Sequence, residues 1–134
     1  MRLKSAYLNA HATWSPVADH ANLIACGTSA GTLGADFDTS ATLDILRVDL
    51  KSASSSDLQK PAGSAAATNR FTSIAWGLTG AKTATYPLGI IAGGLDTGAI
   101  SFWNPAKIVA YVSLTRAHRF IVVFTTRFAH RRIF

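Results

Sequence analysis

The chain has 134 residues, 49% of them hydrophobic, which is enough to bury the core of one domain and excludes a disordered polypeptide. Its net charge of +6 is concentrated at one end, because residues 1–109 carry eight Lys or Arg against seven Asp, whereas residues 110–134 carry five Arg and no acidic residue. The near-neutral body therefore excludes an extended basic surface for nucleic acid, and the lone Cys26 excludes an internal disulfide and favours a reducing compartment.

The first predicted elements are three short strands, near residues 11–14, 23–27 and 43–48. The first strand ends at Trp14, the second is an apolar run that leads into Ala and Gly, and the third alternates apolar with polar residues. An insertion around residues 31–40 lengthens the hairpin between the second and third strands. Residues 52–68 are rich in Ser and Ala and are predicted as a loop with one weak edge strand.

The same pattern returns in a second copy, with strands predicted near residues 73–76, 89–93 and 99–103. Trp76 ends the first of these strands and Trp103 ends the third. Gly93, Gly94 and Gly98 are predicted to allow the positive φ that a short hairpin turn requires. No stretch of the chain shows convincing helical periodicity.

This repeat predicts an all-β fold, a partial β-propeller of about two blades, each blade being a four-stranded antiparallel sheet. The predicted divisions are residues 1–50 for the first blade core, 51–69 for the loop and weak edge strand, 70–108 for the second blade, and 109–134 for a basic tail. The tryptophans are expected to pack in the core rather than to stack on a ligand. The predicted structural blade positions are Trp14, Trp76, Gly93, Gly94 and Trp103.

Several stretches carry a resemblance to a known family: residues 14–16, 25–30, 33–45 with Leu50, 70–71, 74–77, 89–98 and 103–108. They resemble the N-terminal WD-repeat propeller of the large subunit of the COPII outer coat. The long first hairpin is the most specific part, since ordinary WD repeats lack it. The usual WD network of His, Ser or Thr, Asp and Trp is incomplete here, because Thr97 stands at the Asp position, Asn69 stands near the His position and only Trp103 fits.

The resemblance implies a structural scaffold that binds other proteins, is not an enzyme and uses no cofactor or small-molecule substrate. The implied partners are other coat propeller subunits and, indirectly, the cytoplasmic face of the endoplasmic reticulum, at exit sites where vesicles bud toward the Golgi. No specific nucleic acid is expected. Since the family-like sequence stops after Ile108, we expect a truncated or mis-spliced product, whose uncovered blade faces would leave it insoluble, chaperone-bound or molten.

No side chains form a recognisable catalytic or metal centre in the sequence. Asp36 and Asp38 resemble the start of a calcium loop, but Arg47 holds the place of its bidentate Glu. The glycines of residues 27–34 lack the Lys and the helix of a phosphate loop, and residues 52–56 are interpreted as a solvated serine loop. Four histidines show no metal-ligand spacing with Cys26: His11, His20, His118 and His130.

An alternative function lies in residues 110–134, where Arg alternates with Phe and could bind an anionic membrane or RNA through phosphate groups. An unselected translated segment is the simpler interpretation, because a basic tail attracts phosphate without an evolved role. The longest apolar run there, residues 120–124, is too short to span a bilayer, and the N-terminus lacks the apolar stretch of a signal peptide. We therefore expect a cytosolic chain.

Overall fold

Two four-stranded antiparallel sheets make up the fold in a computed structural model, which describes residues 4, 8–29, 40–51, 61–79, 83–113 and 124–126. Sheet 1 contains, in spatial order, β1 (Ala10–Trp14), β2 (Leu23–Thr28), β3 (Ala41–Arg47) and β4 (Pro61–Ala67), and a 3-10 helix at Ala18–His20 follows β1. Sheet 2 contains β5 (Phe71–Gly77), β6 (Ile90–Leu95), β7 (Ile100–Trp103) and β8 (Phe124–Thr126), and helix α1 (Pro105–Ser113) separates β7 from β8.

The predicted all-β fold of a partial propeller is confirmed, because each sheet is a meander of antiparallel neighbours. All six predicted strands are present, as β1, β2, β3, β5, β6 and β7, and the weak edge strand within residues 52–68 is β4. Helix α1 and strand β8 were not predicted, and β8 lies within the predicted basic tail. Helix α1 was missed because the sequence shows no convincing helical periodicity there. A helix of nine residues makes fewer than three turns, so its hydrophobic pattern is weak.

Alternation along the strands gives each sheet two faces. In β3, Leu43 and Ile45 are fully buried on one side, and Asp44 lies on the other. Antiparallel pairing extends this division across the sheet, since Ala25 of β2 pairs with Ile45. We call the two sides of sheet 1 the front face, with Leu23, Ala25, Gly27, Leu43 and Ile45, and the back face, with Trp14, Ile24, Cys26, Asp44 and Leu46.

The two sheets stack in the same sense, the front face of sheet 1 on the back face of sheet 2. The back face of sheet 2 carries Trp76, Ile91, Gly93, Leu95, Ser101 and Trp103, and its front face carries Ile90, Ala92, Gly94, Ile100 and Phe102. The apolar residues of the two contacting faces form one buried cluster that includes Phe71 at the start of β5. Stacking of this kind is how neighbouring propeller blades pack.

Helix α1 returns from sheet 2 to sheet 1. Its start is fixed by Asn104, whose Oδ1 accepts a hydrogen bond from the Ala106 backbone N–H at 3.1 Å, and by Pro105 at the first helical position. Ile108 is buried against β4, where a Cβ on Gly63 would collide with the Ile108 carbonyl group. The helix therefore follows β7 in the chain and packs against β4, the outer strand of sheet 1.

Candidate interaction surface

The contact between the sheets is built around Phe71, which is only 1% exposed. Its ring lies between two glycines, because a Cβ on Gly27 would lie 2.6 Å from Phe71 Cγ and a Cβ on Gly93 would lie 2.5 Å from Phe71 Cε1. The ring centroids of Phe71 and Trp103 are 5.2 Å apart with the planes inclined at 42°. Phe71 was not among the predicted blade positions, although an aromatic residue beside a predicted strand was the available signal.

The strand glycines do not have the role predicted for them. Gly98 has a positive φ of 79° in the turn between β6 and β7, as expected, but Gly93 and Gly94 lie within β6 without a positive φ. Gly93 makes room for the Phe71 ring, and a Cβ on Gly94 would lie 2.8 Å from Ser73 Oγ. The prediction of a turn role was wrong for both residues, and at Gly93 the close approach of the Phe71 and Trp103 rings is what requires glycine.

The three tryptophans have different surroundings. Trp76 is 7% exposed and its Nε1 donates a hydrogen bond to the Leu88 carbonyl at 2.7 Å, whereas Trp103 is 5% exposed and its Nε1 has no acceptor among the described residues. Trp14 is 52% exposed. Core packing was therefore wrongly predicted for Trp14, because it pairs with Ile24 on the back face of sheet 1, which neither described sheet covers.

The incomplete WD network agrees with these contacts. Asp96 donates its backbone N–H to the Arg70 carbonyl at 2.9 Å, which fixes the turn after β6, and Thr97 beside it is exposed. Trp103 contacts the Phe71 ring instead of a described hydrogen-bond acceptor. In this part of the chain, aromatic packing therefore takes the place of the buried polar network that the family resemblance leads one to expect.

A cleft of about 430 Å³ lies at the edge of sheet 1, beside Trp14. Leu50 is 58% exposed there and adds a second apolar side chain. The lining residues are Trp14, Ala21, Asn22, Arg47, Val48, Asp49, Leu50 and Lys51. This combination of apolar groups with charges of both signs suits contact with a polypeptide, and it brings together no nucleophile with a base.

The remaining candidate groups are scattered. His11 lies exposed in β1 and His20 lies exposed in the 3-10 helix, and no cluster of three or more His, Cys, Asp or Glu occurs where side chains are described. Burial raises the pKa of the Cys26 thiol, and the Asp44 carboxylate raises it further, so this thiol is a weak nucleophile. The candidates outside the described residues are Asp36, Asp38, His118, His130, residues 31–34 and residues 52–56. None of the described helices has the length and apolarity needed to cross a membrane.

Comparison with known proteins confirms the resemblance found in the sequence. No family model matches the chain. The chain is 38% identical over 109 residues to protein transport protein SEC31 of Dictyostelium discoideum, which is 81% of this chain and 8% of the relative. It is 36% identical over 110 residues to protein transport protein Sec31A of Danio rerio, covering 82% and 9%, and 37% identical over 111 residues to protein transport protein sec31 of Schizosaccharomyces pombe, covering 81% and 8%. The chain thus spans less than a tenth of the length of these relatives.

Proposed function

Because the matched four fifths of this chain belong to the SEC31 family of protein transport proteins, we propose that the chain is a structural, protein-binding part of the COPII outer coat. The observation that carries this proposal is the similarity of 36–38% identity over about 81% of the chain. The process is vesicle transport from the endoplasmic reticulum to the Golgi. The two stacked sheets support it, because propeller blades present faces and rims for protein contacts.

The proposed mechanism is binding through surfaces rather than catalysis. The relatives are named as transport proteins, and the described surface offers a rim cleft and apolar sheet faces in place of a polar reaction centre. The partners we propose are neighbouring coat propeller subunits, with the cytoplasmic face of the endoplasmic reticulum reached through them. On this proposal the chain needs no cofactor, and it acts peripherally at exit sites.

A chimera tests the proposed function. The matched segment of the Schizosaccharomyces pombe relative is replaced by residues 1–108 of this chain, and the rate at which a secreted cargo leaves the endoplasmic reticulum is measured. We expect the chimera to support export, and we expect Phe71→Ala in the graft to abolish export because it empties the contact between the sheets.

The matched control is Leu78→Ala, since Leu78 is 55% exposed, and it should leave export unchanged. A chimera that resists limited proteolysis as a folded protein does, yet fails to export cargo, would overturn the proposal.

A second candidate function rests on the charge of residues 110–134, which hold five Arg and no acidic residue. Their arginines could bind the phosphates of an anionic membrane or of RNA. This candidate gains support if salt-dependent binding to anionic vesicles or to RNA persists after residues 1–109 are deleted. It fails if the deleted chain binds neither.

A further inference from the structure

We propose that the rim cleft binds a peptide segment in which acidic residues alternate with large apolar ones. This name is used for the cleft between the β1–β2 loop, Arg47 at the end of β3, and residues 48–51 after it. The proposal rests on the proposed protein-binding function and deepens it, because it states the chemistry of one partner. It is supported by the position of the cleft, by a comparison of the two sheets, and by the charges that line the cleft.

The rim cleft lies at the ends of strands. Arg47 is the last residue of β3, and Leu50 and Lys51 follow it in the chain. Sheets that stack on one another cover their faces, whereas the loops at the strand ends stay on the surface. All three side chains are exposed, and none of them lies on the back face of sheet 1, where a further sheet would pack. Their accessibility therefore follows from their place on the rim.

The equivalent place in sheet 2 is bridged by a side chain. Aligning the two copies of the repeat on Leu43 and Ile100 places Arg47 opposite Asn104. Asn104 reaches across the rim, because its Nδ2 donates a hydrogen bond to the Thr85 carbonyl in the β5–β6 loop at 2.8 Å. The side chain of Arg47 makes no such hydrogen bond to the β1–β2 loop within the described part of the chain.

The two loops differ at a second point. Trp76 Nε1 donates to the Leu88 carbonyl at 2.7 Å, which ties the β5–β6 loop to the end of β5. Trp14 and Ala21 stand at the corresponding places of sheet 1, and the Trp14 indole makes no hydrogen bond to a described residue. The rim cleft of about 430 Å³ lies where these links are missing. Its volume falls in the range of about 300–1,000 Å³ that is usual for binding pockets.

The charges of the rim cleft favour an acidic ligand. Two of the described lining residues, Arg47 and Lys51, are cations, and neither makes an ion pair with a described residue. The carboxylate among the described lining residues, Asp49, already accepts a hydrogen bond at Oδ1 from the Lys51 backbone N–H at 3.0 Å. A carboxylate of a ligand would therefore gain charge-assisted hydrogen bonds here, and a guanidinium can bind it through two parallel bonds.

Leu50 adds an apolar requirement to the charge. It is 58% exposed beside the two cations, so a ligand that covers it removes apolar surface from water. Nucleic acids bind through a row of cations that neutralise phosphates, and Asp49 would repel a phosphate here. A polypeptide with alternating acidic and large apolar residues meets both requirements, because its carboxylates contact the cations while its apolar side chains cover Leu50.

Fluorescence anisotropy with the full 134-residue chain at low concentration tests the proposal. The probe is a labelled synthetic peptide in which Asp and Glu alternate with Leu and Phe. We expect the wild-type chain to bind it, Arg47→Glu and Lys51→Glu each to weaken binding by about tenfold, and Leu50→Ser to weaken it several-fold. All three side chains are exposed, so circular dichroism should show that each variant keeps its strands.

Two controls separate the rim cleft from the basic residues 110–134, which also attract acidic peptides. Lys107→Glu makes the same charge change at an exposed position in the first turn of α1, where Glu is favourable, and it should bind like the wild type. A peptide with Asn and Gln in place of Asp and Glu should bind the wild type about tenfold more weakly. Amide exchange should slow at Val48 and Leu50 when the acidic peptide binds.

Three results would overturn the proposal. The first is equal affinity of the wild type for the acidic and the amide peptides, and the second is an equal loss of binding in Lys107→Glu and Lys51→Glu. The third is binding of RNA or anionic vesicles that Lys51→Glu weakens, without binding of the peptide. If one of these occurs while the chimera still exports cargo, the rim cleft proposal fails and the coat function stands. Peptide binding in the expected order with a chimera that fails to export cargo would leave the cleft and remove the coat function.

Discussion

At the scale of single residues, the space around Phe71 decides how tightly the two sheets pack. Gly93→Ala would place a Cβ 2.5 Å from Phe71 Cε1 and 2.8 Å from Trp103 Cζ3. Both rings are buried and rigid, so we expect this substitution to lower the free energy of unfolding by about 1–3 kcal/mol in urea titrations, as overpacked cores do.

Two further variants make this prediction specific. Gly77→Ala is the matched control in the same sheet, since its nearest neighbour would be the Ile90 carbonyl oxygen at 3.9 Å, and it should be close to neutral. Phe71→Leu should recover part of the stability in the Gly93→Ala background, because it relieves the collision. Equal losses for Gly77→Ala and Gly93→Ala would contradict the role of Phe71 between the glycines.

The Cys26 thiol makes stability depend on pH in the alkaline range. Desolvation by burial raises its pKa, and the Asp44 carboxylate adds to this effect. Above the ordinary thiol pKa the unfolded chain loses this proton while the folded chain keeps it, so the folded state binds more protons and stability falls as pH rises. Between about pH 8 and about pH 10, the free energy of unfolding should fall more steeply for the wild type than for Cys26→Ala. Parallel pH profiles for the two chains would show that the thiol titrates alike in both states.

At the scale of elements, helix α1 depends on Asn104. Its Oδ1 caps the helix, and its Nδ2 donates to the Thr85 carbonyl at 2.8 Å. Asn104→Ala removes both interactions and should cost about 1 kcal/mol or more, with faster amide exchange at Ala106 and Ile108. Asn104→Asp keeps a capping oxygen and loses only the Thr85 hydrogen bond, so it should lie between the wild type and Asn104→Ala. Slower exchange in Asn104→Ala than in Asn104→Asp would contradict the capping role.

The elements also show what a single sequence can predict. The six strands with alternating or apolar runs were predicted, because both the period-two patterning and the internal repeat are visible in the sequence. Strand β4, Pro61–Ala67, consists of Pro, Gly, Ser and Ala, and it is a strand because β3 pairs with it, not because of its own propensity. The helix α1 and the three-residue β8 are short, and their stability comes from β4 and β7, which lie far away in sequence.

The candidate surface was less predictable than the strands. Trp14 and Trp76 occupy equivalent positions in the repeat, yet one is 52% exposed and the other 7% exposed. The difference depends on whether another sheet packs on the face that carries the tryptophan, and a local sequence pattern does not show this. For the same reason Gly93 and Gly94 were expected in a turn, since the sequence shows that glycine is present but not which neighbouring group requires it.

At the scale of the whole molecule, one buried cluster stabilises both sheets. Phe71, Leu43 and Trp103 belong to it, so side chains of both sheets share one cluster. Small domains have a total stability of about 5–15 kcal/mol, and removing a buried Phe side chain costs about 3–5 kcal/mol. Phe71→Ala should therefore weaken both sheets together, while an exposed position on the front face of sheet 2 should affect only what binds there.

Solubility separates these two effects. Ile100 and Phe102 are 40% and 42% exposed on the front face of sheet 2, so we expect the wild-type chain to be lost from solution as its concentration rises. Phe102→Lys should keep more of the chain soluble, because it places a charge on this face without touching the contact between the sheets. Phe71→Ala should make the loss worse, because it empties that contact. The soluble fraction after centrifugation, measured for the three chains over a range of concentrations, makes the comparison. A monodisperse wild-type monomer with a sharp cooperative transition would contradict the instability expected of uncovered blade faces.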